Sequence, residues 1–213
     1  MFAVKKRDSR KCRLISQFNK LNTCSPCPRF KPDSWKTVQE PLQNPSHCWG
    51  TTADMANWFH HPALSNKARR WARFQIQERT YEMTALPFGL ASSPYWAHRL
   101  SKPILEWTGA QKLTLVWCVD NVLLLGKSAQ EVETAATLII RKQTSLGIHL
   151  NPSKCKLNPC QSVKYLSHNL DLKNRRFVPL KSKLTAAIRE TKKALTGKTT
   201  TPKYLAVVAG KLL

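Results

Sequence analysis

Thirteen residues near the middle of the chain, Leu113–Leu125, constrain the fold more than any other stretch. Ten of them are apolar; the exceptions are Thr114, Asp120 and Asn121. The run is too short to cross a bilayer, and its polar pair divides it into two strand-length parts. A hairpin is therefore predicted, two apolar strands joined by an Asp-Asn turn. Burying an ionised carboxylate costs several kcal/mol unless it is paired or metal-bound. A turn tip would instead leave Asp120 in water. Asp120 is thus either an ordinary turn residue or a functional one, and function would require a second carboxylate.

The chain has 213 residues, 42% of them apolar, which is enough for a packed core and excludes a wholly disordered basic tail. The length accommodates one large domain or two small lobes. No apolar run is long enough for a membrane span, and the basic N-terminus lacks a signal-peptide core. An intracellular protein without membrane association is expected, in nucleus or cytoplasm. The net charge of +23 points to a polyanionic partner, nucleic acid first. Residues 1–36 carry +8 and residues 172–213 carry +10, whereas the 135 residues between carry only +5. A polyanion gripped from two sides produces this layout, and so do two solvated tails.

Local patterns fill in the rest. Phe2–Asn22 alternates basic and apolar residues and reads as a hairpin or strand pair. Residues 23–50 hold five Pro and read as a long connection with a short helix. A short strand giving way to a turn is expected around Ala53–Phe59, and a second hairpin over residues 73–84, turning at Gln77-Glu78-Arg79-Thr80. Leu86–Leu90 is a Pro/Gly-marked loop. Ser92 has the form of a helix N-cap before Pro94, with Pro103 expected to restart, kink or end that helix. Ser128-x-x-Glu131 has capping-box form, opening a helix that should stop at Gly147. Tyr165-Leu166 is read as the beginning of a short strand. Leu184, Ile188 and Leu195 share one helical face. Strands and helices interleave without regular βαβ spacing, so the class is α+β. The seven Cys are odd in number. Cys24, Cys27, His47 and Cys48 offer four zinc-type ligands, with buried or loose thiols as the simpler reading; Cys155 and Cys160 are read as structural.

The chain has only five Asp, and Asp54 is the candidate partner of Asp120. Two Asp on adjacent strands could share hard divalent cations such as Mg²⁺, and a metal pair about 3.5–4 Å apart serves nucleotidyl transfer. Spacing alone does not justify the pairing, since the two lie 66 positions apart.

Six segments in order carry a resemblance that does. They are Lys5-Lys6…Arg13-Leu14-Ile15…Leu21-Asn22; Ala53-Asp54-Met55-Ala56-Asn57-Trp58-Phe59-His60; Ala85-Leu86-Pro87-Phe88-Gly89-Leu90-Ala91-Ser92-Ser93-Pro94; Cys118-Val119-Asp120-Asn121; Leu146-Gly147-Ile148…Asn151-Pro152-Ser153-Lys154-Cys155; and Tyr165-Leu166-Ser167-His168. Over roughly residues 2–185 the chain resembles the polymerase domain of reverse transcriptases, and looks closest to those of DIRS-like tyrosine-recombinase retrotransposons.

The resemblance implies a right-hand polymerase fold, an antiparallel palm sheet backed by helices with fingers and a partial thumb. Residues 1–50 would be partial fingers, 51–170 the palm with a finger-side insertion over 60–85, and 171–213 the start of the thumb or connection. It implies an RNA-directed DNA polymerase adding dNTPs to a DNA or RNA primer on an RNA template. Asp54 and Asp120, with Asn121 beside them, would be catalytic, the two Asp holding two Mg²⁺, with Mn²⁺ as the alternative ion. Lys5 or Lys6 and Arg13 would bind the triphosphate. Phe59 would exclude a 2′-hydroxyl, Phe88 and Gly89 would lie against the nascent base pair, and Lys154 could donate a proton to pyrophosphate. Tyr165, Leu166 and Ser167 would form the primer grip. Ribonuclease H or other element domains would lie on another chain. Four positions depart from the family pattern: Asn121 replaces the second Asp of the box, Cys118 its Tyr, Ser167 a Gly, and Asn19 a basic residue. The alternative is a catalytically inactive polymerase relic that still binds nucleic acid.

Overall fold

A computed structural model describes residues 2–5, 12–25, 27–31, 35–196 and 201–212. Its centre is a four-stranded antiparallel sheet of order β6-β7-β3-β8. The chain begins with β1 (Phe2–Lys5), β2 (Cys12–Ile15), α1 (Asn19–Cys24), α2 (Trp35–Leu42) and β3 (Trp49–Asp54). A 3-10 turn (Trp58–His60), α3 (Asn66–Arg69) and the hairpin β4 (Arg73–Ile76) and β5 (Arg79–Glu82) follow. Next come α4 (Ser93–Ala110), β6 (Thr114–Cys118), β7 (Asn121–Gly126), α5 (Ala129–Ser145) and β8 (Lys156–Cys160). The last elements are β9 (Ser162–Tyr165), β10 (His168–Asp171), β11 (Arg176–Pro179), α6 (Lys181–Thr196) and α7 (Pro202–Leu212). No helix among the described residues is long and apolar enough to cross a membrane.

The predicted apolar run folds as β6 and β7, and its continuity has a simple cause: β7 is covered on both faces. Leu123 and Leu125 pack with Val38 and Leu42 of α2 and with Val163, Tyr165 and Leu170 of the small sheet β9-β10-β11. The alternate residues point the other way, Val122 toward Ala97 and Ile104 of α4, Leu124 toward Ala135, Ala136 and Ile139 of α5. A strand buried on one face would alternate with polar residues; this one cannot.

Three boundaries differ from the sequence reading. The β6–β7 turn is Val119-Asp120, one residue earlier than the Asp-Asn pair, because Asn121 already pairs with Cys118 and with Asp54. Val119 takes φ 56°, an uncommon conformation for a β-branched residue, and Trp117 Nε1 donates to its carbonyl at 2.8 Å. Tyr165 ends strand β9 rather than beginning one. Leu166 and Ser167 form the turn with φ of 42° and 69°, the left-handed pair that a tight two-residue hairpin requires. The hairpin over 73–84 turns in two residues, 77–78, rather than four, because Arg79 and Thr80 already pair with Ile76 and Gln75.

Helix signals had mixed outcomes. Ser128 Oγ accepts from Glu131 N (3.1 Å), while Glu131 Oε2 accepts from Lys127 N (2.7 Å), a capping box displaced by one residue. Gly147 follows α5 at φ 72°, where a side chain would be strained. Ser92 makes no side-chain cap; Ser93 Oγ donates instead to Pro87 O at 2.8 Å. Helix α4 runs on through Pro103, because Ala97, Ser101, Ile104 and Thr108 keep one face buried on both sides of it; packing outweighs the ~3 kcal/mol penalty of an interior proline. Leu184, Ile188 and Leu195 do lie in one helix, α6, but all three are exposed.

Candidate active site

The register of the sheet builds the site. In the β3–β7 ladder Asp54 stands opposite Asn121, and Met55 N donates to Asp120 O at 2.7 Å. The two carboxylate residues, 66 positions apart, therefore share one end of the sheet. Asp54 is 7% exposed, and Lys154 Nζ lies 3.2 Å from its Oδ2. Its backbone is fixed from the other side as well: Asn151 N donates to Asp54 O (2.8 Å), and Asp54 N donates to Cys155 Sγ (3.4 Å). Asn121 Nδ2 donates to Asp120 Oδ1 at 2.7 Å.

Burial holds the Asp120 carboxyl above its usual range, and the neighbouring Asp54 charge pushes it the same way; Lys154 and Arg13 pull it back. Two carboxylates in this relation form a site that gains from a bound cation. The oxygen donors suit a hard divalent ion such as Mg²⁺. Asn121 supplies no third charge, and among the described residues no three His, Cys, Asp or Glu come together as a metal site. The donor set thus fits a divalent cation between Asp54 and Asp120, with a sparer complement for a second ion.

Around the carboxylates the other candidates divide. Arg13, exposed on β2, places its guanidinium 5.0 Å from the Phe88 ring centre, and Phe88 lies 5.2 Å from Phe59. Arg13, Phe59, Phe88, Lys154, Asp54 and Asp120 are so brought to one side of the molecule. Lys5 ends β1 opposite Cys12 and is exposed; Lys6 falls outside the described residues. Gly89 has φ 101°, and a Cβ there would sit 1.9 Å from Ser16 O, so only glycine fits that approach. Tyr165 is buried, its hydroxyl shared between the carbonyls of Asn121 (3.2 Å) and Val116 (3.4 Å), which braces the Val119-Asp120 turn from beneath. Leu166 and Ser167 form the turn above it, closed by Leu180 N on Ser167 O at 2.9 Å.

Sequence reasoning missed the braces. Asn151 lies within a family motif with no role of its own, and Cys155, read as structural, does hold the Asp54 backbone. Asn22 was quoted only as a motif's end, yet its amide bonds Gly89 and Ala91. The suggested zinc ligands Cys24, Cys27, His47 and Cys48 form no metal-type cluster among the described residues: Cys27 faces the carbonyl of Ala91 (3.3 Å) and Cys48 that of Lys127 (3.2 Å).

Solved structures share this architecture. A foamy viral protease-reverse transcriptase in complex with double-stranded DNA superposes with a TM-score of 0.75 at 16% identity, over 98% of this chain and 34% of that one. The foamy viral enzyme in complex with RNA/DNA hybrid gives 0.73 at 15% identity, over 98% and 26%. The fold is thus that of the reverse transcriptase polymerases, as the motifs implied. Residues 4–170 match the reverse transcriptase (RNA-dependent DNA polymerase) family, and the chain belongs to it. Similar relatives include the retrovirus-related Pol polyprotein from transposon 412 of Drosophila melanogaster (22% identity, 76% of this chain, 13% of the relative). Protein P of duck hepatitis B virus is 22% identical over 80% of this chain and 21% of its own length. The chain therefore spans about a fifth or less of these curated relatives.

Proposed function

We propose that this chain is the RNA-directed DNA polymerase domain of a retroelement, adding dNTPs to a primer 3′-hydroxyl on an RNA template. The observation that carries the reading is the placement of Asp54 and Asp120 together, flanked by Lys154, Arg13 and the Phe59–Phe88 pair. Residues 1–50 serve as partial fingers, 51–170 as palm with the 60–85 insertion on the finger side, and 171–213 as the start of the thumb or connection. The motif resemblance favours an element of the DIRS-like kind. The work is intracellular, where RNA templates and dNTPs are found.

Asp54 and Asp120 would hold the divalent ions, Mg²⁺ or Mn²⁺. Bound there, such ions would supply Lewis acidity toward the primer hydroxyl and positive charge toward the phosphates. Arg13, with Lys5 or Lys6, draws the triphosphate in, the guanidinium as a fork and the ammonium as a point charge. Phe59 packs against the sugar and selects deoxynucleotides, while Phe88 and Gly89 bound the nascent base pair. Lys154 stands by Asp54, where it can protonate the leaving pyrophosphate. Leu166 and Ser167 approach the primer strand, with Tyr165 supporting their turn.

One observation favours a second reading. Asn121 donates an amide to Asp120 where the family has a second carboxylate, which weakens cation binding and suits a relic that binds nucleic acid without copying it. Primer extension on an RNA template with dNTPs and Mg²⁺ separates the two. Extension by the wild-type chain that disappears in Asp120→Ala supports the polymerase. Activity gained only in Asn121→Asp supports the relic, and no extension by either folded protein rejects the enzymatic reading.

A further inference from the structure

The loop that follows Leu86 is held almost entirely from outside itself. Pro87 O accepts from Ser93 Oγ at 2.8 Å, and Phe88 O accepts from Ser16 N at 3.0 Å. Ala91 O accepts from Cys27 Sγ at 3.3 Å. Ser93 N also donates to Leu90 O at 3.1 Å. Two further bonds come from one side chain: Asn22 Nδ2 donates to Gly89 O at 3.0 Å, and Asn22 Oδ1 accepts from Ala91 N at 2.9 Å.

A primary amide carries a donor and an acceptor in one plane. It can therefore pair with two backbone groups as a neighbouring strand would, fixing both the position and the direction of the loop. Asn22 belongs to α1, next to β2, which carries Arg13. The clamp thus ties the loop to the segment that bears the guanidinium. Phe88, one residue before the clamp, has its ring 5.0 Å from Arg13, 5.2 Å from Phe59 and 5.4 Å from His60. None of these bonds reaches Asp54 or Asp120, which are fixed by the central sheet.

We infer that Asn22 is a positioning residue, which docks the Gly89–Ala91 loop and so sets Phe88 against Arg13 and Phe59 in the nucleotide pocket. The inference rests on the polymerase reading for its consequence, though not for its geometry. Without the clamp, Phe88 loses its fixed place while the carboxylates keep theirs. The cost falls on nucleotide capture more than on turnover.

The test compares wild type with Asn22→Ala and with Asn22→Asp, which keeps an acceptor but loses the donor to Gly89 O. Amide hydrogen exchange at Ala91 reads the clamp without any need for activity. Loss of these bonds should speed exchange there by about tenfold in Asn22→Ala. The dNTP KM should rise by a similar factor of about ten, with kcat changed far less and primer–template affinity held. A purely structural role would instead lower the unfolding midpoint and reduce kcat and KM performance together. Unchanged exchange at Ala91 overturns the clamp; faster exchange with an unchanged KM overturns its role in the pocket. If the wild-type chain copies nothing, the polymerase reading fails by itself. Binding of dNTP to the complex with a dideoxy-terminated primer then replaces KM, and equal binding by wild type and Asn22→Ala overturns the inference.

Discussion

The central sheet and the N-terminal hairpin obtain their order in opposite ways. In β7, Leu123 is 0% exposed, and its neighbours are covered on both faces. In β1 and β2, Phe2, Val4 and Leu14 are each more than 40% exposed. A two-stranded ribbon is marginal by itself, and this one meets the loop after Leu86 through Ser16 N on Phe88 O. The difference suits the proposed function. Asp54 ends a strand of the covered sheet, and Asp120 is tied to that strand through Met55 N on Asp120 O. Lys5 and Arg13 stand on a lightly held ribbon, which can adjust to a charged ligand.

The largest expected effect tests that contrast directly. Leu123→Ala should cost about 2–5 kcal/mol of stability by loss of contacts and cavity formation. Leu14→Ala should change stability by no more than about 0.5 kcal/mol, as an exposed position does. Urea unfolding of both variants measures the two numbers. Comparable losses would mean that the hairpin is an integral part of the core, and the contrast would break.

The same contrast explains what could be read from sequence. The central strands were legible because an apolar run flanked by polar breaks has few other uses. Helix α5 was legible because its cap and its apolar period agree. The Val119-Asp120 turn was not, since its register is set by pairing of β7 with β3, a partner more than 60 positions away. Pro103 misled because local chemistry says break while four buried residues of α4 say continue. Family motifs supplied the two Asp, and the β3–β7 ladder accounts for their meeting. Asn22 was illegible as a clamp, since nothing local in Leu21-Asn22 announces a bond to a loop 67 positions on.

A middle-sized effect lies inside the rigid region. Burial, and then Asp54, raise the Asp120 carboxyl above its usual 3.8. The native state thus holds that proton more tightly than the unfolded chain. Its stabilising contribution is complete below the unfolded value and is lost as pH rises through the native one. At neutral pH an ionised Asp120 is a local liability, accepted where a cation would sit. Asp120→Asn should therefore be more stable than wild type at pH 7, by under about 1 kcal/mol in this partly solvated site, and the gain should vanish near pH 3. Urea midpoints at both pH values check this. A variant less stable at pH 7 would show that the carboxylate helps hold the turn.

The smallest effect lies at the seam where the sheet meets the 3-10 turn. His149 N donates to His61 Nε2 at 3.2 Å, and Ala56 N donates to His149 O at 2.8 Å. This lacing continues to Asn151 N on Asp54 O, so His61 helps secure the exit of β3. Burial lowers the His61 pKa from 6.5, His149 and His60 add to that direction, and backbone groups of Trp58 and Asn57 oppose it. The native state binds this proton less tightly than the unfolded chain. The contribution is therefore full above 6.5 and is lost as pH falls through the native value. Wild type should lose less than about 1 kcal/mol between pH 7.5 and 5.5, the worth of a single hydrogen bond. His61→Gln retains an acceptor but cannot titrate, so its midpoint should be flatter across that interval. The His61 dependence has the opposite slope to that of Asp120, so one series from pH 3 to 8 tells them apart by sign. A His61→Gln chain with the wild-type slope would assign the dependence to other groups and leave the seam without a role in securing Asp54.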